Sequence, residues 1–533
     1  MGAMKEIQIT ARDGTRIGVA AYGPEGAGRF PALLAPSPYR YDNNSLPAGP
    51  QFLWRETGPI ELYVKQGYVY VHMDVRGCGK SGGDFELLGP NEQRDLYDVI
   101  QWIAAQPWSN GKVGGIGQSY FCMSQWWMGI MAPPALACLA AYDGLNDPYR
   151  ASCYTGGIPG QFFPGYWWNQ NRIINRYPAN GAAPREQNVD LDALISAHPT
   201  YDDFWRVRSA AERLHEIKVP LYSIGIWGKV DLHTRGNIDG YRRASGPKKL
   251  QMRGPPNAWA ANAEFNGTEL HEKVLLPFYD CFLKNLPTNY EKRPAVEYFV
   301  RGANLFRSSD TWPPAGVKYQ SWFLNGEKAG GAVSLNDGGL SLTKNSSVEK
   351  TSYSYPNPGW VSGVVGFGPN GPPVFDPVRR VLTFTTAPLE KDLEIAGPIK
   401  LVLYASSTRT DTDFFVKLSD QGAQGAAQLV TKGWLRASHR ALDPQRSTGM
   451  EPYHTHAKPE PLKPGEVYRF DISVEPNAYR FRQGSRIRLE IVNGDSMVTD
   501  MLWTHYYAPH KIGQDTIWHS DKFPSELILP AHE

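Results

Sequence analysis

The first 130 residues alternate between short apolar runs and amphipathic segments, and this alternation restricts the possible folds more than any other feature of the sequence. Residues 30–36 (FPALLAP) and 68–75 (YVYVHMDV) are continuous apolar runs, which is typical of strands buried on both faces of a sheet. Residues 92–105 repeat apolar side chains at helical spacing, and residues 113–116 form another short apolar run before a helical pattern. Strands that alternate with helices predict a mostly parallel sheet with covering helices.

A chain of 533 residues exceeds what one hydrophobic core can hold, so several domains are expected. Residues 1–146 and 214–295 carry the strand and helix signals of the α/β domain. Between them, residues 147–213 are rich in Gly, Pro, Tyr and Trp and then turn into polar helical stretches, which predicts a helical cap inserted over the sheet. Residues 296–533 show short alternating runs separated by Gly, Pro and Asn, which predicts an all-β sandwich or jelly roll.

Charge and cysteine content exclude several classes of protein. The net charge is only +2 and no Lys/Arg-rich run is present, so we expect neither nucleic acid nor an anionic membrane as a partner. The five cysteines have irregular spacing and no CxxC pair, which argues against disulfides, a zinc site or any other metal, and favours a reducing, cytoplasmic location. No apolar stretch is long enough to span a bilayer. The start, Met1-Gly2-Ala3-Met4, lacks the apolar region of a signal peptide and is typical of a cloning remnant. The sequence leaves open whether the chain forms a homo-oligomer.

The tripeptide Gly117-Gln118-Ser119 directly follows the apolar run 113–116 and is a candidate nucleophile elbow. Such an elbow places a serine on a sharp turn from strand to helix, and the turn requires small neighbouring residues. Gly117 provides one of them, whereas Phe121 occupies the place where a second glycine is usual, and Cys122 is the next small residue. A serine in an ordinary loop explains the tripeptide about equally well.

Several longer motifs carry a resemblance to a known family. They are residues 74–83 (DVRGCGKSGG) with Asp95, 106–114 (QPWSNGKVG), 117–120 (GQSY), 388–389 (PL), 396–398 (AGP), 411–414 (DTDF), 433–438 (GWLRAS) and 481–488 (FRQGSRIR). In this order they resemble the cocaine esterase / X-Pro dipeptidyl-peptidase family over nearly the whole chain, and the cap is the least similar part. The resemblance implies an α/β hydrolase with a helical cap and a C-terminal jelly roll, acting without a cofactor.

The resemblance also implies an acyl-enzyme mechanism, in which a serine attacks a carbonyl, a histidine takes its proton and an aspartate orients the histidine. Ser119 is then the nucleophile, and the oxyanion is held by the backbone N–H of Tyr120 and the hydroxyl of Tyr39. The acid is expected after Trp227, where Asp231 is the nearest carboxylate, although the family places its acid closer to the tryptophan. Asp239 is the alternative acid.

The expected catalytic histidine is missing. Residues 254–259 read GPPNAW, and Ala258 occupies the position at which the family has its histidine. The nearest other candidates are His233 and His271, and the latter falls within a predicted helix. Two explanations remain open: an engineered substitution made to trap a substrate, or a natural loss of hydrolysis. The otherwise intact site and the appearance of the start favour the engineered substitution.

The predicted function is therefore that of a serine hydrolase that cleaves an ester or amide bond of a small, apolar or aromatic molecule, in a chain impaired by Ala258. Acyl transfer to an alcohol or amine is the alternative enzymatic function, and a ligand-binding pseudoenzyme is the alternative outside catalysis. Each aromatic candidate for the pocket is individually more typical of the core than of a ligand contact, and for His233 a structural polar contact is at least as well supported. The candidates are Phe121, Phe162, Phe163, Trp167, Trp168, His233 and Trp259.

Overall fold

The computed structural model describes residues 4–532 apart from 44–55, 161, 179, 345–346, 357–379, 424 and 495–507, and it describes only the backbone of residues 162, 164 and 380. Its first sheet has ten strands. The chain forms the strands Lys5–Thr10 (β1), Arg16–Tyr22 (β2), Phe30–Ser37 (β3), Val69–Asp74 (β4), Ser109–Gly115 (β5) and Leu136–Tyr142 (β6), then the small hairpin Tyr154–Thr155 (β7) and Ile158–Pro159 (β8), and then Leu221–Ile226 (β9), Lys248–Arg253 (β10), Val296–Val300 (β11) and Leu305–Ser309 (β12).

The strand order of this sheet is β1-β2-β4-β3-β5-β6-β9-β10-β11-β12. The strands from β4 to β11 in this order are parallel, and β1, β2 and β12 run antiparallel at the two edges. All six residues of β4 are buried, as expected for a central strand that is covered on both faces. The carboxyl ends of the parallel strands lie along one edge, which is where ligands bind in such sheets.

Nine α-helices surround or cap this sheet in the described part of the chain. They are Ile60–Lys65 (α1), Pro90–Ala104 (α2), Tyr120–Met131 (α3), Trp168–Arg176 (α4), Leu191–Ser196 (α5), Asp203–Arg206 (α6), Thr234–Arg243 (α7), Ala258–Asn266 (α8) and Leu276–Lys284 (α9). α2 buries the apolar face that the sequence predicted. α4, α5 and α6, together with the π-helical turns Tyr149–Cys153 and Phe162–Trp167, form the cap.

The C-terminal domain is an eleven-stranded β-sandwich. Its strands pair in the order β15-β22-β17-β20-β19-β18-β21-β16-β14-β13-β23, and β17 also pairs with β23. Their bounds are Lys318–Asn325 (β13), Ser334–Ser341 (β14), Lys350–Tyr355 (β15), Arg380–Thr385 (β16), Leu393–Ser407 (β17), Asp413–Gln421 (β18), Ala427–Arg436 (β19), Tyr468–Phe481 (β20), Arg486–Val492 (β21), Gly513–Trp518 (β22) and Glu526–Ala531 (β23).

The strands β11 and β12 differ from the sequence prediction, which assigned them to the all-β domain. β11 pairs in parallel with β10, and β12 pairs with β11, so both belong to the edge of the first sheet. Their alternating pattern is typical of any half-buried strand, and it does not indicate which sheet they join. The strands of the β-sandwich therefore begin with β13.

Two of the family-like motifs form ion pairs within the described structure. Arg76 and Asp95 are joined by two hydrogen bonds of 2.7 Å in the interior of the α/β domain. In the β-sandwich, Asp413 binds Arg436 at 2.8 Å. Buried charges of this kind need a partner, because an isolated charge in the interior is strongly disfavoured. The motifs thus hold loops together at some distance from Ser119.

The β-sandwich packs against both the cap and the loop that follows β9. The backbone N–H of Arg436 donates to the carbonyl of Gly156 in the β7–β8 hairpin at 2.8 Å. Arg235, in α7, binds Glu475 of β20 at 2.8 Å. The second domain therefore supports the loops that surround the carboxyl edge of the first sheet.

None of the helices in the described residues combines the length and the apolar character needed to cross a bilayer.

Candidate active site

Ser119 lies on a strained turn between β5 and α3. Its backbone has φ 62° and ψ −116°, a conformation that residues other than glycine rarely adopt and that is typical of a nucleophile elbow. Gly117 has φ 118°, and a Cβ there would come within 2.4 Å of the Cβ of Phe121. On the other side of the turn, a Cβ on Gly144 would lie 2.6 Å from the Cβ of Cys122. Two glycines thus make room for the turn, although only one of them lies in the elbow tripeptide.

Tyr39 follows β3 and its hydroxyl lies beside Ser119. The Tyr39 hydroxyl hydrogen-bonds with the Ser119 side chain and accepts the indole N–H of Trp167 at 3.2 Å. Burial raises the pKa of Tyr39 well above its ordinary value, and the nearby Glu56 raises it further. The phenol therefore keeps its proton at any physiological pH. Trp167 uses one acceptor position of the hydroxyl oxygen, and the hydroxyl also carries a proton that it can donate.

Tyr120 is the first residue of α3, so its backbone N–H belongs to the first turn of the helix and has no partner within that helix. Its side chain is anchored elsewhere, because the hydroxyl donates to Glu92 at 2.8 Å and the ring stacks on Trp167 at 6.0 Å between centroids. The N–H of Tyr120 and the hydroxyl of Tyr39 thus flank Ser119, which is the arrangement that an oxyanion hole requires.

A buried carboxyl group that the sequence analysis did not identify also contacts the nucleophile. Glu56 precedes α1, and its backbone carbonyl accepts the N–H of Gln118 at 3.0 Å. The Glu56 side chain is buried and lies near the Ser119 hydroxyl, which favours the ionised carboxyl group. Burial raises the pKa of Glu56 to about 8, although the nearby Lys229 opposes this shift.

A second buried carboxylate lies on the other side of the elbow. Asp143 follows β6, and its backbone carbonyl accepts the N–H of Ser119 at 2.9 Å. Its carboxylate contacts the ammonium of Lys229 at 2.6 Å, the amide nitrogen of Gln118 at 2.8 Å and Nδ1 of His233 at 3.1 Å. Burial opposes ionisation of Asp143, but Lys229 and His233 outweigh it and hold its pKa below the usual range.

The histidines near this region are buried and neutral. Burial lowers the pKa of His233, so a neutral ring donates its Nδ1–H to Asp143. His271 lies in the core, where Nδ1 faces the Tyr63 hydroxyl at 2.7 Å and Nε2 faces the Phe265 carbonyl at 2.6 Å. Burial lowers the pKa of His271 to about 4. Both ring nitrogens of His271 are therefore occupied, and it has a structural role.

The predicted acid and the vacant histidine position lie on two loops. Asp231 binds Lys432 of the β-sandwich at 3.0 Å, while the alternative acid Asp239 lies on α7 among arginines. Ala258 is the first residue of α8, which Asn257 caps by accepting the N–H of Ala260. These assignments remain predictions of the sequence.

The loop after Trp227 touches the loop that leads to Ala258. A Cβ on Gly228 would lie 2.3 Å from the carbonyl oxygen of Pro255 and 2.4 Å from the nitrogen of Asn257. The structure therefore brings together the two segments in which the family pattern expects the acid and the base, and the glycine permits their close approach.

Most of the predicted pocket residues form one aromatic wall beside Ser119. Phe121 lies 5.8 Å from Tyr39 between ring centroids, and Trp167 stacks on Phe163 at 4.3 Å. Trp168 packs on Phe85 one layer farther out. Trp259 is 45% exposed and is not part of this wall, and the side chain of Phe162 lies outside the described part of the structure.

The sequence contained a signal for Asp143 that the analysis did not use. Asp143 directly follows the apolar run 136–142, and side chains at the carboxyl ends of parallel strands meet at one edge of the sheet. No comparable signal precedes Glu56. Among the described residues, no group of three or more His, Cys, Asp and Glu side chains is arranged to hold a metal ion.

Comparisons with known proteins agree with this architecture. Residues 13–255 match the family model of X-Pro dipeptidyl-peptidase (S15 family), and residues 288–528 match the X-Pro dipeptidyl-peptidase C-terminal non-catalytic domain. A Mycobacterium bovis protein named "Putative serine esterase" is 29% identical, with 92% of this chain and 90% of that protein covered. The cocaine esterase of a Rhodococcus species is 26% identical, with 91% and 89% covered.

Among solved structures, a CocE/NonD family hydrolase from Staphylococcus aureus is 27% identical and superimposes with a TM-score of 0.82. The alignment covers 99% of this chain and 94% of that protein. Both family models match in the same order as the two domains of the structure, and the similarity extends over nearly the full length. The chain belongs to the cocaine esterase and X-Pro dipeptidyl-peptidase family of serine hydrolases.

Proposed function

We propose that the chain uses Ser119 to cleave an ester or amide bond of a small, apolar or aromatic molecule through an acyl-enzyme. The observation that carries this proposal is the strained backbone of Ser119 together with the Tyr39 hydroxyl beside it. A strained turn costs free energy of folding, and such strain is typical of functional sites. An ordinary loop serine would need neither the strain nor the hydrogen-bond donors around it.

The geometry supports the usual order of acyl transfer. The Ser119 oxygen attacks the carbonyl carbon, and the carbonyl oxygen gains negative charge. The hydroxyl of Tyr39 and the N–H of Tyr120 stabilise this charge, and Trp167 holds the Tyr39 hydroxyl in place. The leaving alcohol or amine departs, and water then releases the acid.

The aromatic wall supports the substrate class. Phe121, Phe163 and Trp167 are buried next to the nucleophile and offer apolar ring faces. Apolar pockets with a few well-placed polar groups bind small organic molecules, because contact with the walls removes apolar surface from water. An apolar or aromatic acyl group therefore fits this wall better than a charged one.

We also propose that Ala258 leaves the chain without the usual imidazole base. The contacts of Lys229 bear on the origin of this change. Lys229 lies two residues after Trp227, close to the place where the family has its acid, and it binds Asp143. The pairing of Lys229 with Asp143 is compatible with both origins that the sequence leaves open, an engineered substitution and a natural loss of hydrolysis.

The absence of a histidine at Ala258 is also the observation that favours a binding protein as the second candidate function. Acyl transfer to a bound alcohol or amine would use the same Ser119 chemistry, and analysis of the products with an added nucleophile distinguishes it from hydrolysis. A protein that only binds its ligand would release no alcohol from an activated ester.

Labelling with a fluorophosphonate tests the proposal, because this probe reacts with activated serines. We expect one labelled site, Ser119, and no labelling of Ser119→Ala. Ser124→Ala is the matched control, since Ser124 is also buried and lies on the same helix, α3. Labelling that persists in Ser119→Ala would remove Ser119 from the proposed role.

A further inference from the structure

The carboxyl group of Glu56 is the one acidic side chain that the described structure places in contact with the Ser119 hydroxyl. We infer that Glu56 takes over the part of the missing histidine and accepts the proton of Ser119 during acyl transfer. This inference rests on the proposed function of Ser119. It assigns a base to a site in which the residue at the usual position, Ala258, has no group that can accept a proton.

The position of Glu56 meets the geometric requirement for a base. The hydrogen bond from its backbone carbonyl to the N–H of Gln118 fixes Glu56 against the elbow. Its side chain lies near the Ser119 hydroxyl, and Oε2 is buried without a hydrogen-bond partner among the described residues. A buried oxygen without a partner is costly and rare in folded proteins. The carboxyl group therefore has an open position at which it can hold a proton.

The charges around Glu56 suit a base that works near neutral or mildly alkaline pH. Burial and the negative charge of Asp143 raise the pKa of Glu56, whereas Lys229 and the Ser119 hydroxyl lower it. The result is a pKa of about 8. A base is most effective when its pKa is near the working pH, because it is then ionised often enough and still binds the proton well. Tyr39, the other titratable neighbour, stays protonated.

The proton transfer is balanced at each step. The Ser119 proton moves to the Glu56 carboxylate while the serine oxygen bonds to the carbonyl carbon, and the carbonyl electron pair moves onto its oxygen. When the carbonyl re-forms, the bond to the leaving alcohol or amine breaks and Glu56 gives that group its proton. Water then loses a proton to Glu56, attacks the acyl carbon and releases the acid, and the serine oxygen takes the proton back.

His233 is the competing base, because Asp143 orients its ring as an aspartate does in a catalytic triad. In the described residues His233 has no hydrogen bond to Ser119, whereas the Glu56 carboxyl group lies near the Ser119 hydroxyl. The two candidates predict different pH profiles. A neutral, buried histidine with a lowered pKa acts as a base from mildly acidic pH upward, and Glu56 does so only as pH rises through about 8.

The test is the rate of fluorophosphonate labelling of Ser119 over a pH range that brackets the midpoint of about 8 expected for Glu56. The full-length chain should label faster as pH rises through this midpoint. Glu56→Gln keeps the size and polarity of the side chain but cannot accept the proton, so we expect labelling about 100-fold slower and without the midpoint. Glu56→Asp should label Ser119 more slowly than the parent but keep the pH dependence. This variant replaces Glu56→Gln as the test if the glutamine variant does not fold.

The matched control is Glu92→Gln. Glu92 is equally buried, has its pKa raised by burial to about 8 and hydrogen-bonds with the Tyr120 hydroxyl instead of Ser119. This variant should label at nearly the original rate. Unchanged labelling in Glu56→Gln, or a chain that never labels at any pH, overturns the role of Glu56. Loss of labelling in a folded His233→Asn variant, with Glu56→Gln unaffected, assigns the base to His233. Labelling that is independent of Ser119 refutes the proposed function instead.

Discussion

The two halves of the candidate active site differ in how closely they follow the family pattern. The half with the candidate nucleophile has the strained turn at Ser119, with the predicted oxyanion donors Tyr39 and Tyr120 beside it. The half in which the family pattern expects the acid and the base has Asp231 as the predicted acid, Lys229 bound to Asp143, and Ala258 at the predicted histidine position. Under the proposed function, the stabilisation of negative charge and the removal of a proton are provided by separate parts of the fold.

The charged groups around the elbow pair with one another, which is compatible with an intact turn at Ser119 in a site without the expected histidine. Lys229 pairs with Asp143, and Asp143 in turn holds Gln118 and His233. Among the described residues, this network pairs the buried Asp143 carboxylate with a cation, and a charge in the interior needs such a partner. Glu56 differs, because burial keeps it mostly protonated at neutral pH.

Of the changes considered, introducing a histidine at position 258 should have the largest effect on activity. Ala258→His supplies an imidazole where the family has one, and we expect turnover of aryl esters to increase up to about 1000-fold. The activity should rise with pH through a midpoint near ~6.5–7, where a histidine loses its proton. The measurement is kcat across pH on a panel of simple aryl esters.

Ala258→Asn is the control for the histidine variant, because asparagine is polar but is not a base. Asp231→Asn in the Ala258→His background should reduce the gain strongly if Asp231 orients the new ring. If Asp143→Asn reduces the gain and Asp231→Asn does not, the acid is Asp143. Equal activity of Ala258→His and the parent chain would mean that residue 258 is not the position of the base.

Removing the Lys229 ammonium, the cation that pairs with Asp143, should destabilise the fold. Lys229→Met leaves the Asp143 carboxylate buried without its charged partner, and breaking a buried ion pair in this way costs roughly 3 kcal/mol or more. Chemical denaturation followed by tryptophan fluorescence gives the free energy of unfolding. The double variant Lys229→Met/Asp143→Asn removes both charges and should recover much of the loss. A double variant no more stable than Lys229→Met would show that the pairing of these charges is not what stabilises the site.

Substitution of Tyr39 tests the half of the site that contains Ser119 and the predicted oxyanion donors. Tyr39→Phe removes one hydroxyl, and the loss of such a donor typically lowers kcat about 100-fold, or by ~3 kcal/mol. Tyr41→Phe is the matched control, since the buried Tyr41 hydroxyl has no hydrogen-bond partner among the described residues. The kinetics should be measured in the Ala258→His background, where turnover is easiest to follow. An unchanged kcat for Tyr39→Phe would exclude Tyr39 from the oxyanion hole.

The smallest effect concerns stability and pH. The pKa of Glu56 is raised by burial from its ordinary value to about 8, so ionisation of this group favours the unfolded chain. The stabilising contribution of protonated Glu56 is complete below the unfolded pKa and is lost as pH rises toward about 8. Glu56→Gln does not titrate, so its stability relative to the parent should increase by at most about 1.4 kcal/mol per pH unit in this window. A constant difference between the two proteins would show that Glu56 is already ionised.

The parts of the fold that could be predicted are those set by local pattern. The apolar run 30–36 lies within β3, because a buried strand between turns has a distinctive composition. The pairing of β11 with β10 could not be predicted, because an alternating pattern does not specify the pairing partner. The Ser119 turn could be predicted because the turn, its glycine and the following helix are adjacent in sequence.

The sequence by itself determined the family, the two-domain architecture and the candidate nucleophile, since each depends on local composition or on ordered motifs. Only the tertiary structure decided which charged groups meet at Ser119. Glu56, Asp143 and Lys229 come from three separate segments, and the parallel sheet brings those segments to one edge. Their pKa values depend on burial and on mutual distance, which are properties of the folded chain and have no counterpart in any single stretch of sequence.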